Sequence, residues 1–90
     1  MEEGLLTLTK DGVTITVDPK KFVSYKWNRL MNAATDEAKP EFERVSALVK
    51  ALDFAFGDGV DAITEHLGDD ASIEEVYKFA FSMFGDEVKN

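Results

Sequence analysis

The chain has 90 residues, with 18 Asp or Glu against ten Lys or Arg, so its formal net charge at pH 7 is −8. This length predicts one domain over residues 1–90 with a single modest hydrophobic core. The sequence contains no cysteine, which excludes disulfides, thiolate metal sites and cysteine nucleophiles. The strong negative charge opposes binding to nucleic acid and to anionic membranes.

The sequence predicts a cytoplasmic location. No apolar stretch approaches the roughly 20 residues that a membrane-spanning helix needs. The first three residues, Met1-Glu2-Glu3, are acidic at their second and third positions, whereas a secretory signal begins with basic residues. Small secreted domains also often depend on disulfides, which this chain cannot form.

A β-hairpin is the first predicted element, with strands over residues 5–9 and 12–17. Threonines alternate with Leu, Ile and Val in both segments, which is the two-residue period of a strand with one buried face. Asp11 and Gly12 predict the turn, because glycine readily adopts the positive φ that a tight hairpin requires. An isolated hairpin is marginal in water, so we expect its apolar face to pack on the helices that follow.

Two long helices are predicted next. Asp18 and Pro19 suit the start of a helix that continues to about residue 34. Its predicted apolar stripe consists of Val23, Trp27, Leu30, Met31 and Ala34. The second helix is expected to begin near Pro40, which is poorly tolerated inside a helix, and to end at Gly57. Its predicted apolar stripe is the most regular in the chain and consists of Phe42, Val45, Leu48, Val49, Leu52, Ala55 and Phe56.

Two further helices complete the predicted fold. Asp58 is placed to cap a short helix over residues 59–67. Ser72 and Glu75 have the spacing of a capping box for a last helix, which we expect to end at Gly85. Together the patterns predict an α+β fold, mainly α, in which an N-terminal β-hairpin packs on a bundle of three to four helices.

The sequence shows no arrangement that is typical of an enzyme. His66 is the only histidine, and no nucleophile or set of metal ligands accompanies it. Acidic pairs such as Asp69 and Asp70 lie at helix starts, where carboxylates complement the helix dipole. The Asp-rich segment over 53–70 does not have the spacing of an EF-hand loop. We therefore expect no catalytic residues, no metal and no cofactor.

Charge is distributed unevenly along the chain. Residues 57–90 contain nine acidic residues and two lysines, a net charge of −7. Residues 19–29 contain no acid and carry a basic patch of charge +4, which consists of Lys20, Lys21, Lys26 and Arg29. Basic residues interleaved with aromatics such as Tyr25 and Trp27 occur in single-strand binding proteins. A small nucleic-acid-associated regulator that uses the basic helix 19–34 is therefore the alternative function, although the overall acidity makes nucleic acid an unlikely partner.

The helices contain more aromatic residues than their main stripes include. Phe54, Phe79 and Phe81 lie off those stripes, and Met83 further broadens the apolar surface of the last helix. A helix of this kind is either the centre of a small bundle or part of a binding surface for another protein. The candidate partner-binding residues are Phe54, Phe79, Phe81, Met83 and Phe84. They predict either an apolar helical client or self-association through the C-terminal helices.

In layout, the chain resembles the small tail assembly chaperones of long-tailed bacteriophages. The shared features begin with a short strand pair over Leu5–Val17, a helical body, and a Leu-Gly turn followed by acids, His66-Leu67-Gly68-Asp69-Asp70. A capped last helix follows, with the sequence Ser72-Ile73-Glu74-Glu75-Val76 and with Phe79, Phe81 and Phe84. The resemblance implies a non-enzymatic chaperone that coats the tape measure protein, often oligomerises and is absent from the finished virion. It also implies a location in the host cytoplasm.

Overall fold

The computed structural model describes residues 4–88, so the acidic start Met1-Glu2-Glu3, which differs from a secretory signal, lies outside the described residues. The elements in chain order are β1 (Leu6–Lys10), β2 (Val13–Val17), a 3₁₀ helix (Pro19–Val23), α1 (Tyr25–Ala34), α2 (Glu41–Phe56), α3 (Gly59–Leu67) and α4 (Ile73–Val88). The predicted α+β fold, mainly α and with an N-terminal hairpin, is confirmed.

The hairpin forms at the predicted place, and most of its predicted apolar face is buried, whereas Leu6 is 37 % exposed. Strands β1 and β2 pair antiparallel, with Leu8 opposite Ile15. Asp11 and Gly12 have φ values of 53° and 85°, and a two-residue turn of the type that matches strand twist needs positive φ at both positions. The threonines point to solvent, and the buried hairpin residues are Leu8, Val13, Ile15 and Val17.

Packing of the hairpin onto the helices creates the core. Strand β2 packs on α3 and α2, and β1 packs on α4. A Cβ atom on Gly59 would lie 3.1 Å from two carbon atoms of Ile15, so the glycine allows α3 to approach β2 closely. The largest fully buried side chains come from both layers and are Leu8, Leu52, Ile63 and Met83.

The single helix predicted over 19–34 is wrong, because the chain forms two segments that meet at Ser24. The Asp18 carboxylate accepts a hydrogen bond from the Lys20 backbone N–H at 3.0 Å, as predicted for a cap, but it caps only the 3₁₀ helix. Ser24 is extended, with ψ of 157°, and its Oγ accepts from the Trp27 N–H at 3.2 Å. This bond starts α1 as a new helix.

The break at Ser24 changes which side chains face inward. The change of backbone conformation there means that residues on either side do not share one helical stripe. Val23, predicted to be in the stripe, is 79 % exposed, whereas Trp27 is buried as predicted. Phe22 packs against the core instead of Val23.

Helix α2 has the predicted bounds but only part of the predicted buried stripe. It follows Pro40 and ends at Gly57, whose φ is 54°. Its buried residues are Ala47, Ala51, Leu52, Ala55 and Phe56. Phe42, Val45 and Val49 were expected in the core but are exposed, with Phe42 72 % accessible. Neighbouring elements cover Val45 and Val49 only in part, and Phe42, in the first turn of α2, is covered least.

The last two helices correct two details of the prediction. Asp58 precedes α3 but makes no capping bond through its side chain, because its own backbone is helical and a capping residue is normally extended. Helix α4 continues through Gly85 to Val88, so the predicted end at Gly85 is wrong. A glycine disfavours a helix interior by about 1 kcal/mol, which does not by itself end a helix.

The capping box at the start of α4 is confirmed and gives a test of its contribution to stability. The Ser72 N–H donates to Glu75 Oε1 at 2.8 Å, and the Glu75 N–H donates to Ser72 Oγ at 3.1 Å. We expect Ser72→Ala to lower the free energy of unfolding by about 1 kcal/mol, measured by urea denaturation. Ser46→Ala, at an exposed position inside α2, is the control and should leave stability unchanged or slightly raised. Equal effects of the two substitutions would contradict a role for the cap.

Candidate protein-binding site

Three of the five candidate partner-binding residues contribute to the interior of the molecule. Met83 is fully buried, so it does not present a surface to a partner. Phe81 and Phe84 are partly buried in an aromatic cluster around Phe22. The ring centroid of Phe22 lies 5.0 to 5.8 Å from those of its four neighbours, which meet it edge to face and are Trp27, Phe56, Phe81 and Phe84.

The Phe22 cluster, defined as these five rings, uses much of the aromatic surplus inside the fold. Edge-to-face ring pairs contribute roughly 0.5–1.5 kcal/mol each beyond the area they bury. The cluster joins the 3₁₀ helix and α1 to the C-terminal ends of α2 and α4. Phe22 lies at its centre although it is outside the stripe that the sequence predicts, because that prediction assumed an unbroken helix.

Phe79 and Phe54, the other two candidates, are partly buried beneath lysine side chains. The centroid of Phe79 lies 5.7 Å from Lys10 Nζ and 5.3 Å from the ring of His66. The ring of Phe54 lies 5.2 Å from Lys21 Nζ and 4.9 Å from Lys26 Nζ. Both phenyl rings therefore have a cation over them in the isolated chain. Their use as a partner-binding surface remains a prediction.

The basic patch is divided between a structural role and open surface. Lys21 Nζ donates to the backbone carbonyl of Phe54 at 3.2 Å, near the end of α2, where a cation offsets the negative end of the helix dipole. Lys20, Lys26 and Arg29 are exposed. Trp27 is buried and offers no face for a nucleobase to stack on. This burial removes one of the two aromatics on which the nucleic-acid alternative depended.

Several large apolar side chains of the described residues are exposed on α1 and α2, in addition to Leu5 and Leu6 at the hairpin and Val23 before α1. Phe42, Val45 and Val49 follow one another at spacings of three and four along α2, so they occupy one helical face, which we call the α2 stripe. Val49 also lines a groove of about 270 Å³. The groove is bounded by α2, α3 and the start of α4 and is lined by Val49, Leu52, Asp53, Val60, Thr64, Ala71, Ile73 and Val76.

A second exposed surface lies on α1. Tyr25 is 79 % exposed, as is Val23 just before the break at Ser24. A shallow depression of about 420 Å³ lies beside Tyr25 and is lined by Tyr25, Lys26, Arg29, Leu30 and Ala33, which we call the α1 patch. Its lining combines one aromatic ring, two aliphatic side chains and two cations.

Over residues 4–84, where the structure describes side chains, there is no arrangement for metal chemistry. No three or more His, Asp or Glu side chains are grouped so that they could hold a metal ion. In the same part of the chain, every buried side-chain N or O atom has a hydrogen-bond partner. None of the described helices is both long and apolar enough to cross a membrane.

Comparisons with known proteins gave no match. A scan against protein-family models found none, and searches of curated proteins and of solved structures also found none.

The contrast between Phe22 and Phe42 separates structural from surface aromatics. We expect Phe22→Ala to lower the free energy of unfolding by about 2–4 kcal/mol, because it removes the central ring of the Phe22 cluster. Phe42→Ala removes the same atoms from an exposed site and should change stability by less than about 0.5 kcal/mol. Chemical denaturation of both variants measures the difference. A similar loss in the two would show that Phe42 is also part of the folded core.

Proposed function

We propose that this protein is a non-enzymatic protein-binding and assembly module that holds an apolar helical segment of a client, as a phage or prophage tail assembly chaperone does. The observation that carries the proposal is the α2 stripe, which exposes a Phe and two Val side chains on one helical face and leads into an apolar groove through Val49. Such a stripe beside a groove suits a helix that presents apolar anchors at matching three- and four-residue spacing.

The stripe has the energetic properties of a binding surface. Full burial of a Phe or Val side chain is favourable by roughly 1.5–3 kcal/mol. Phe42, which is 72 % exposed, retains most of this gain for a partner, and the partly covered Val45 and Val49 retain a smaller share. Among the lining residues of the groove, Asp53 is the only charged one. A client that covers the stripe and fills the groove would therefore bury mainly apolar surface.

The charge of the chain suits the same role. A chaperone that holds an apolar client must keep the complex soluble after its own apolar surface is covered. A formal net charge of −8 on 90 residues provides repulsion between complexes, which opposes aggregation. As a tail assembly chaperone, the protein would act in the host cytoplasm, where the tape measure protein is made.

This proposal places the client on α2 and on the groove between α2, α3 and α4, whereas the sequence alone favoured the aromatic residues of the C-terminal helices. Met83, Phe81 and Phe84 are engaged within the fold. Ile73 and Val76 at the start of α4 still contribute to the groove. A second copy of this chain is the competing occupant of the stripe, and light scattering distinguishes it from a client.

Gene context and co-expression test the proposal. We expect a gene for a long helical protein, the tape measure protein, directly downstream of the gene for this chain. Co-expression should keep that client soluble and recover it with the chaperone on an affinity column. The triple variant Phe42→Ala, Val45→Ala and Val49→Ala should reduce client recovery at least about tenfold, which corresponds to about 1.4 kcal/mol. Alanine keeps α2 helical while removing the apolar surface.

The matched control is Val23→Ala with Tyr25→Ala, which removes exposed apolar side chains from a different surface and should leave client recovery unchanged. Circular dichroism and thermal unfolding establish that all variants fold. Absence of a tape measure gene, or full recovery with the triple variant, would overturn the proposal. Light scattering that shows a stable oligomer dissociated by the triple variant, with no client bound, would assign the stripe to a second copy.

A further inference from the structure

We propose that the α1 patch is a second interaction surface and that it binds an acidic amphipathic helix of a partner protein, in which carboxylates flank apolar side chains. This surface differs from the α2 stripe in position and in chemistry. The proposal goes beyond the proposed function and does not depend on it.

The geometry of α1 places apolar and cationic side chains in adjacent rows. Tyr25, Arg29 and Ala33 follow one another at intervals of four residues, and Lys26 and Leu30 form the neighbouring row. All five line the depression of about 420 Å³. Leu30 and Ala33 provide the apolar contacts, while Lys26 and Arg29 place cations beside them. A partner helix that carries an apolar side chain between two carboxylates would contact both the apolar residues and the cations of the α1 patch.

Charge complementarity identifies the partner as acidic. Residues 19–35 contain Lys20, Lys21, Lys26 and Arg29 and no acidic residue, although the chain as a whole has a net charge of −8. Within residues 4–84, whose side chains the structure describes, the ion pair that it shows is between Lys78 and Glu74, on the surface of α4. The cations of the α1 patch thus have no carboxylate partner in the described part of the chain, and a partner of opposite charge gains favourable long-range attraction.

The patch also contains the residue types that dominate binding energy at protein interfaces. Tyrosine and arginine are enriched among residues whose truncation weakens complexes most. Lys26 lies near the ring of Phe54, with Nζ 4.9 Å from its centroid. Because this side chain is already restrained, binding costs it less conformational entropy. A nucleic acid is disfavoured as the occupant, because Trp27 is buried and the rest of the chain repels phosphates.

Binding of designed peptides tests the proposal directly. The probe is a fluorescein-labelled peptide of about 18 residues, long enough to form a helix on binding, with Leu on one face and Glu on the other. One matched peptide replaces each Glu by Lys, and another replaces each Leu by Ser. Fluorescence anisotropy with the full-length protein should show binding of the Leu/Glu peptide alone, and the binding should weaken as salt increases.

Variants of the α1 patch identify the surface. Arg29→Glu should weaken binding of the Leu/Glu peptide at least about tenfold. Lys50→Glu makes the same charge change at an exposed position on α2 and should alter binding less than about twofold. Tyr25→Ala should also weaken binding about tenfold, whereas Phe42→Ala should not. This last pair separates the proposal from the α2 stripe, because each variant affects one surface only.

Several outcomes would overturn the inference. These are no binding of the Leu/Glu peptide, equal losses in the Arg29 and Lys50 variants, or tighter binding of a labelled single-stranded oligonucleotide than of the peptide. Light scattering that shows self-association abolished by Arg29→Glu, without peptide binding, would instead assign the patch to a second copy of the chain. Circular dichroism of each variant excludes unfolding as the cause of a loss.

Discussion

The packing of the hairpin's apolar face onto the helices is the interaction on which the rest of the structure depends. A two-stranded sheet of this size is marginal alone, and α1 and α3, with ten and nine residues, are too short to be stable in isolation. Ile15 of β2 meets the start of α3, where Gly59 allows close approach, and Leu8 of β1 is fully buried in the shared core. This contact fixes α3 and α4, and these in turn bound the groove beside the C-terminal half of α2.

Local signals in the sequence predict most of the fold. The alternation around Asp11 and Gly12 gives the hairpin, and the pair Ser72 and Glu75 gives the start of α4, since both depend on interactions within a few residues. Ser24 is also a signal for a helix start, because serine is a favoured capping residue. The preceding Asp18 and Pro19 give a competing signal for a start six residues earlier. Gly85 resembles a helix end in the sequence, but a glycine permits such an end without requiring it.

Surface placement was harder to predict than secondary structure. Periodicity identifies Phe42, Val45 and Val49 as one face of α2, but it does not say whether another element covers that face. Similarly, Phe81 lies off the one-sided stripe of the last helix because α4 packs against several elements, and an edge-to-face contact with Phe22 accounts for its position. Composition identified an aromatic surplus, and only the three-dimensional arrangement separates the rings that stabilise the fold from the side chains that remain exposed.

The buried residues of this protein are concentrated away from its two exposed surfaces. Trp27 is the buried residue of α1, and Ala47 is the buried residue in the first half of α2. Leu30, Met31 and Leu48 pack against the core in part, and the second half of α2 buries Ala51, Leu52, Ala55 and Phe56. Substitutions at the exposed positions of α1 and of the first half of α2 should therefore cost little stability, because surface positions contribute little to it. The outer face of these two segments is thus free to vary in sequence while the interior that holds the chain together stays the same.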